Sequence, residues 1–250
     1  MSDNEDWDLD DLPEGEDSQH EWWDFEDEAE MVDAVAGDIG FIIESALDAR
    51  GQALIALPGT DEAMAVFEKL AERKIRWKDV TIVPTDDRLV AVSDELSIIA
   101  KIAKIFIPLG ARVLPISSEN EDYQMAGNAA DARLQDLHWP LDLCWLGMDE
   151  NGHAASILPG PDFEDALEGP AEKRAIGIMP EPMPADAPVA RVSITAASVA
   201  SARTVMVTIA GSAQRPVLEA AIQLGEVSDS SIGRIFNKLT VPVDIYWLDN

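Results

Sequence analysis

The chain has one cysteine in 250 residues, three histidines, and 18 lysines and arginines against 48 aspartates and glutamates. A single cysteine excludes a disulfide framework within the chain. Cys144, inside LDLCWLG, reads as a core thiol on a strand rather than a nucleophile. The shortage of basic residues excludes whole function classes. At a formal charge of −30, nucleic acid is an unsuitable partner, because phosphate-backbone binding needs clustered Lys and Arg. Anionic membrane surfaces are unsuitable for the same reason. A small anionic substrate remains compatible only with a local basic pocket. No apolar run approaches membrane-spanning length. The N-terminus has no basic segment followed by an apolar one, so no signal peptide is read there. A soluble, cytoplasmic protein is expected, as a monomer or a dimer.

Much of the negative charge is at the front. Met1 to Asp33 contains DNEDWDLDDLPEGED and DFEDEAE and no Lys or Arg. Acid blocks of this kind are ordinarily solvated and mobile, so residues 1–18 are expected to form a disordered acidic tail. Trp22, Trp23 and Phe25 are too apolar for such a tail, and residues 20–26 are expected to pack onto the folded part. The apolar fraction of 47% is ordinary for a globular protein. A chain of this length buries roughly three quarters of its unfolded surface and needs no staples.

What the chain does have is alternation, with no internal repeat. Glu26 to Arg50 carries Met31, Val35, Ile39, Ile42, Ile43, Ala46 and Leu47 at helical spacing, and Gly51 follows as a stop. Strands are then expected at 52–57, 80–83, 113–116 and 141–146, with helices at 61–74, 94–106 and 124–137 between them. Such alternation indicates βαβ units on a mostly parallel, doubly wound, Rossmann-like α/β sheet with helices on both faces. The stretch 160–188 reads as a long connection with one short strand at 175–178. Strands at 190–195, 204–210 and 242–248 and a helix at 216–224 complete one α/β domain over 19–250.

In such sheets ligands bind beyond the carboxyl ends of the strands. The loops PGTDE, PTDDRLV and GMDENGH each follow a strand directly. His153 is the sharpest candidate. A lone His near a helix start is more often structural, but this one follows a strand end and is flanked by Gly152, Ala154, Ala155 and Ser156, which leave room around it. Asp149 and Glu150 are positioned to orient or charge its imidazole. Arg88, after Asp86 and Asp87, is either a surface ion pair or a guanidinium gripping an anion, oriented by the adjacent acids. Arg191 opens a strand in PVARVSIT. Arg215 opens a helix in GSAQRP, where the helix terminus also favours an anion.

In this order and at these distances the motifs resemble those of the 6-phosphogluconolactonase family, which is related to glucosamine-6-phosphate isomerase/deaminase. The resemblance runs from about Trp22 to the C-terminus. GHAASILPG is similar to the family's Gly-His-Thr-Ala-Ser-like turn, DDR at 86–88 to its Asp-Glu-Arg, and RVSIT at 191–195 to its Arg-hydrophobic-Thr strand. GSAQR is similar to its Gly-x-x-Lys helix start, with Arg215 taken as the Lys equivalent. The resemblance implies hydrolysis of 6-phosphoglucono-δ-lactone without metal or cofactor, with a sugar-phosphate lactone as the binding partner. Carried over, His153 is the general base that activates water. Arg88, Arg215, Arg191, Asp86, Gly59 and Thr60 are the substrate- and phosphate-binding residues.

The chain also departs from the family pattern. Where the family has Gly-Gly-x-Thr-Pro, a backbone cradle for phosphate, this sequence has PGTDEA, which keeps Gly59 but puts Thr60 at the second Gly and adds Asp61 and Glu62. A carboxylate ~6 Å from an anion at an effective dielectric of ~20 repels it by roughly 3 kcal/mol. One charged hydrogen bond from an arginine contributes about 1.5–3 kcal/mol. Two inward-facing acids are therefore expected to cancel two arginines. Asn151 stands for an Asp, Ser97-Ile98 for a Ser-Asn pair, and Ala154 for a Thr. Two other readings stand beside the lactonase: a sugar-phosphate isomerase or deaminase using Asp86, Asp87 and Glu150, and a non-enzymatic binding or regulatory relative.

Overall fold

The computed structural model describes residues 20–118 and 122–249, and the acidic segment 1–18 lies outside the described residues. In chain order the strands are β1 (His20–Phe25), β2 (Ala53–Leu57), β3 (Val80–Pro84), β4 (Asp86–Arg88), β5 (Arg112–Val113), β6 (Leu143–Gly147), β7 (Ala175–Ile178), β8 (Arg191–Ile194), β9 (Val205–Ala210) and β10 (Val243–Leu248). The α-helices are α1 (Glu28–Arg50), α2 (Asp61–Ala71), α3 (Ile98–Phe106), α4 (Tyr123–Gln135), α5 (Phe163–Glu168), α6 (Ala196–Ala200), α7 (Gln214–Leu224) and α8 (Ser231–Phe236).

Seven strands form one all-parallel sheet in the order β1-β10-β9-β6-β2-β3-β5. Strand β2, ALIAL, is buried at every position, as a strand covered on both faces must be. Neighbouring side chains divide between two cores. Ile55, Leu57, Leu143, Trp145, Met206 and Tyr246 pack with residues of α1, α2 and α3. Leu54, Ala56, Cys144, Leu146, Val205 and Val207 pack on the opposite side, with α4, α5, α7 and α8. The period-two division is the doubly wound arrangement expected from the sequence.

Helix α1 shows the local signals at work. The Asp27 carboxylate accepts the Glu30 N–H at 2.9 Å, Glu28 and Glu30 occupy the positive first turn, and Arg50 lies in the last. Gly51, at φ 76°, ends the helix by donating its N–H to the Leu47 carbonyl. Residues 20–26 do pack on the folded body: β1 lies in parallel register with β10, from His20 opposite Val243 to Phe25 opposite Leu248. Among the described residues no helix is long and apolar enough to cross a membrane.

Some expectations need correction. DDR at 86–88 is strand β4, and it pairs antiparallel with β8, which pairs antiparallel with β7, giving a second sheet of three strands. The helix expected from Asp94 starts at Ile98, because Ser97 caps it and accepts the Ala100 N–H at 3.3 Å. The strand expected at 113–116 is only Arg112–Val113. Helix α5 lies within the connection 160–188, and α6 and α8 are helices of 5 and 6 residues that no apolar period announced.

Candidate active site

Because β2, β3 and β6 run parallel, their carboxyl ends emerge at one sheet edge. There Pro58, Gly59 and Thr60, then Thr85 and Asp86, then Gly147, Met148 and Asp149 wall a cleft of about 280 Å³, together with His153, Ser156, Arg88 and Arg191. The three strand-end loops therefore do meet.

His153 is held by its own loop and by α8. The Asp149 carboxylate accepts the backbone N–H groups of Asn151, at 2.9 Å, and His153, at 2.8 Å. Gly152, at φ 82°, closes the turn in a left-handed conformation, and a Cβ there would stand 3.0 Å from the Ser230 Cβ. At the start of α8, Ser231 donates its N–H to His153 Nδ1 at 3.3 Å, Ile232 donates its N–H to the Gly152 carbonyl at 3.0 Å, and Ser231 Oγ accepts the Ala154 N–H at 2.9 Å. Phe163 meets the imidazole edge-on, with ring centroids 6.1 Å apart. Burial moves the His153 pKa below the ordinary imidazole value, with the Asp149 charge working against it. The ring is therefore mainly neutral at pH 7.

After His153 the chain makes two left-handed residues in succession, Ala155 at φ 52° and Ser156 at φ 51°. This conformation costs energy in a residue with a Cβ. Two hydrogen bonds hold it. Ser193 Oγ donates to the Ala155 carbonyl and Ser156 Oγ donates to Asp86 Oδ2, each at 2.5 Å. Asp86, 7% exposed, also accepts Thr85 Oγ at 3.0 Å. Asp87 is wholly buried and turned away from the cleft, fixing the start of α3. Its carboxylate accepts the Arg88 and Ile98 N–H groups at 2.9 and 2.8 Å and Ser117 Oγ at 2.7 Å. Burial raises its pKa.

Arg88 and Arg191 stand directly opposite each other across β4 and β8, so their side chains leave the same face of the small sheet. Arg191 is 2% exposed; its Nη1 and Nη2 donate to the Val189 and Ala187 carbonyls at 2.6 and 2.8 Å. The nearest carboxylate approach to Arg88 is Asp86 Oδ2 at 3.9 Å, beyond hydrogen-bond range. The Nε atoms of both arginines are buried and unpartnered. Burial, then the Arg88 charge, depress the Arg191 pKa, but a guanidinium stays protonated through such a shift. Two facing cations with unspent donors form a cradle suited to an anion.

A family model described as glucosamine-6-phosphate isomerases/6-phosphogluconolactonase matches residues 26–240. A 6-phosphogluconolactonase of Rhizobium meliloti is 31% identical over 227 residues, covering 89% of this chain and 96% of its own. The chain belongs to the glucosamine-6-phosphate isomerase/6-phosphogluconolactonase family. A 6-phosphogluconolactonase of Mesorhizobium japonicum is 28% identical over 236 residues, covering 92% of this chain and 96% of its own. The crystal structure of a 6-phosphogluconolactonase from Shewanella baltica has the same fold, with a TM-score of 0.84 at 21% identity over 92% of this chain and 97% of that one.

Of the residues singled out in the sequence, His153, Arg88, Arg191, Asp86, Gly59 and Thr60 all line the cleft. Gly59 has a packing reason as well: a Cβ there would fall 2.3 Å from Ile98 Cγ1. Arg215 is the exception. Its guanidinium lies over the rings of Trp22 and Trp247, at 4.7 and 4.5 Å, and pairs with Asp24 at 3.0 Å and Glu219 at 2.9 Å. It fastens β1 to β10 and α7 instead of reaching the cleft. Counted from Gly211, a Gly-x-x-Lys spacing falls on Gln214, whose amide donates to the Met148 carbonyl and accepts the Ala210 N–H, both at 3.3 Å. Of the two acids after Thr60, Asp61 does not face inward as expected. The side chain of Asp61 is 94% exposed and approaches Lys101 at 3.6 Å. Glu62 borders a small hollow beside Gln214 and Met31 that adjoins the cleft, sharing Thr60, Gly147 and Met148 with it. Sequence reasoning missed the roles of Thr85, which bonds its neighbour Asp86, and of Ser156, Ser193 and Ser231, short polar residues whose partners are distant in the chain.

Proposed function

We propose that this chain hydrolyses 6-phosphoglucono-δ-lactone to 6-phosphogluconate in the pentose phosphate pathway. The observation that carries the reading is the convergence, in a cleft also lined by Asp86, Asp149 and Asp186, of a neutral, loop-locked imidazole and two guanidinium groups whose Nε donors are unpartnered. Relatives named 6-phosphogluconolactonase, matched over nearly their whole length, support it. In this mechanism His153 draws a proton from water as the water oxygen bonds to the lactone carbonyl carbon. The ring C–O bond then breaks, and the proton passes to the departing alkoxide. Arg88 and Arg191 hold the substrate's phosphate, whose binding energy positions the distant ester. The first turn of α2, which no side chain caps, faces the Gly59–Thr60 wall and supplies N–H groups and a helix terminus for negative charge.

The Ser231 bond places the resting imidazole proton on Nε2. Accepting a proton at Nε2 therefore needs the other tautomer, at the expense of one long hydrogen bond, about 1 kcal/mol. We place the reaction in the cytoplasm, on a monomer or dimer with no nucleic-acid partner, in keeping with the charge of −30.

The isomerase reading needs an uncommitted carboxylate. Asp86 is bonded to Thr85 and Ser156, and Asp87 is buried under α3. That leaves Glu150, which lines a neighbouring hollow with His153 rather than the cleft, as the acid on which that reading would have to rest. The binding-protein reading draws on the acid loop and on the aromatic acidic tail; Asp61 points outward, which weakens the first support, and residues 1–18 lie outside the described residues. Purified protein given freshly prepared lactone should release acid faster than the spontaneous reaction. A rate equal to the buffer blank would refute the proposal, and ammonia released from glucosamine 6-phosphate would favour the isomerase.

A further inference from the structure

The parallel sheet has a second edge, where its strands begin. There the starts of β2, β3 and β5 and the residues before β6 and β9 enclose a separate hollow of about 280 Å³, lined by Arg50, Arg112, Arg203, His138, Trp139 and Asp142. Three of the chain's 18 basic residues gather in this one concavity. They arrive independently: Arg50 closes α1, Arg112 opens β5, and Arg203 lies just before β9.

The gathered charge is under-neutralised. Asp142 is 5% exposed, and its Oδ2 accepts the Leu54 N–H at 2.9 Å. Its Oδ1 is shared between Arg50 Nη2 at 2.6 Å and Arg203 Nε at 3.5 Å. One carboxylate thus holds two guanidinium groups in place, and its acceptor capacity is largely committed. Arg112 has no ion pair among the described residues. Asp136 is the one other acid on the lining. At other arginines of this acidic molecule carboxylates outnumber the cation, as where Arg215 takes Asp24 and Glu219, and Arg76 lies near Asp48 and Asp79.

We propose that this hollow is a second anion site, distinct from the cleft, for a small phosphorylated molecule. Guanidinium forks match the oxygens of a phosphate group, and the indole of Trp139, which Arg174 covers on one face at 4.5 Å, borders the hollow beside them. The enclosed volume suits a small molecule, and the molecule's net charge repels a polyanion beyond it. The proposal stands whether or not the cleft is a lactonase.

The test is a titration of the full chain with inorganic phosphate, followed by 1H–15N NMR. Sodium chloride at matched ionic strength is the control. Phosphate should shift the amides of Ala53, Arg112 and Arg203 with saturation, also in an Arg88→Gln background where the cleft is disabled. Arg112→Gln removes a side chain that no hydrogen bond or ion pair among the described residues ties to the fold, so the variant should fold normally while the affinity at these amides falls about tenfold or more. Chloride giving the same shifts, phosphate shifts confined to the cleft, or undiminished affinity in Arg112→Gln would each overturn the proposal.

Discussion

Arg191 and Arg215 carry the same group in opposite circumstances. Arg215 is satisfied: two carboxylates take its N–H donors and two indoles cover its faces. Arg191 is buried beside a second arginine, with two donors spent on carbonyls and its Nε spent on nothing. Opposed like charges are destabilising across a strand pair, so the fold tolerates at Arg88 and Arg191 what it avoids at Arg215. An arginine binds a ligand only with the donors that the protein has left unused. Position at a helix start favours an anion in principle, but in Arg215 the side chain was already claimed from within.

The comparison is broken most severely by removing the group that both cleft arginines serve. His153→Ala should lower kcat by roughly 10²–10⁴-fold, the range for a lost general base. An unchanged rate in the lactone assay would dismiss the imidazole from the chemistry. The pH profile carries the same claim with its sign. Burial lowers the His153 pKa, so the active neutral form persists into mildly acidic solution. The acid limb of kcat/KM should therefore lie below the ordinary imidazole value, and a limb above it would mean that Asp149 outweighs desolvation.

Next in size is Arg88→Gln. Losing one charged hydrogen bond to the phosphate costs about 1.5–3 kcal/mol, a rise of about 10–150-fold in KM with a smaller change in kcat. The same substitution relieves the repulsion on Arg191, so the folded protein should gain stability, by up to about 1 kcal/mol. Weaker binding joined to a higher Tm is the signature expected of a cradle held together for its ligand. Arg215→Gln should do the reverse. Activity should stay within about twofold while stability falls by about 1–2 kcal/mol, mostly from two lost cation–π contacts, since exposed ion pairs add little. Thermal melts of the two variants side by side decide the matter.

The fold was largely legible because its central strands are apolar throughout and its helices amphipathic. Both signals come from burial and need no knowledge of pairing. Gly51 ended α1 as read, and the three strand-end loops met as parallel topology requires. What the sequence hid were elements whose polarity is satisfied internally. DDR at 86–88 looks like a charged surface turn, yet Asp86 and Asp87 are buried, each bonded by hydroxyls or N–H groups from elsewhere in the chain. Helix α8 is too short to show a period, and its role in fixing His153 through Ser231 is a contact 78 residues away in sequence. The left-handed pair Ala155–Ser156 has no composition signal at all, since neither residue favours that conformation.

The smallest expected effect is also the one that corrects the sequence reading most directly. A carboxylate after Thr60 would oppose phosphate if it faced the cleft. With its side chain 94% exposed and beside Lys101, the Asp61 charge is screened by water on nearly every side. An exposed charge of this kind acts on a neighbour with less than about 1 kcal/mol. Its place in the first turn of α2 adds a further small stabilisation of the helix. Asp61→Lys should therefore change KM for the lactone by no more than about twofold, and its cost should fall on the helix as a slightly lowered Tm. A large fall in KM would show the Asp61 carboxylate reaching into the cleft after all.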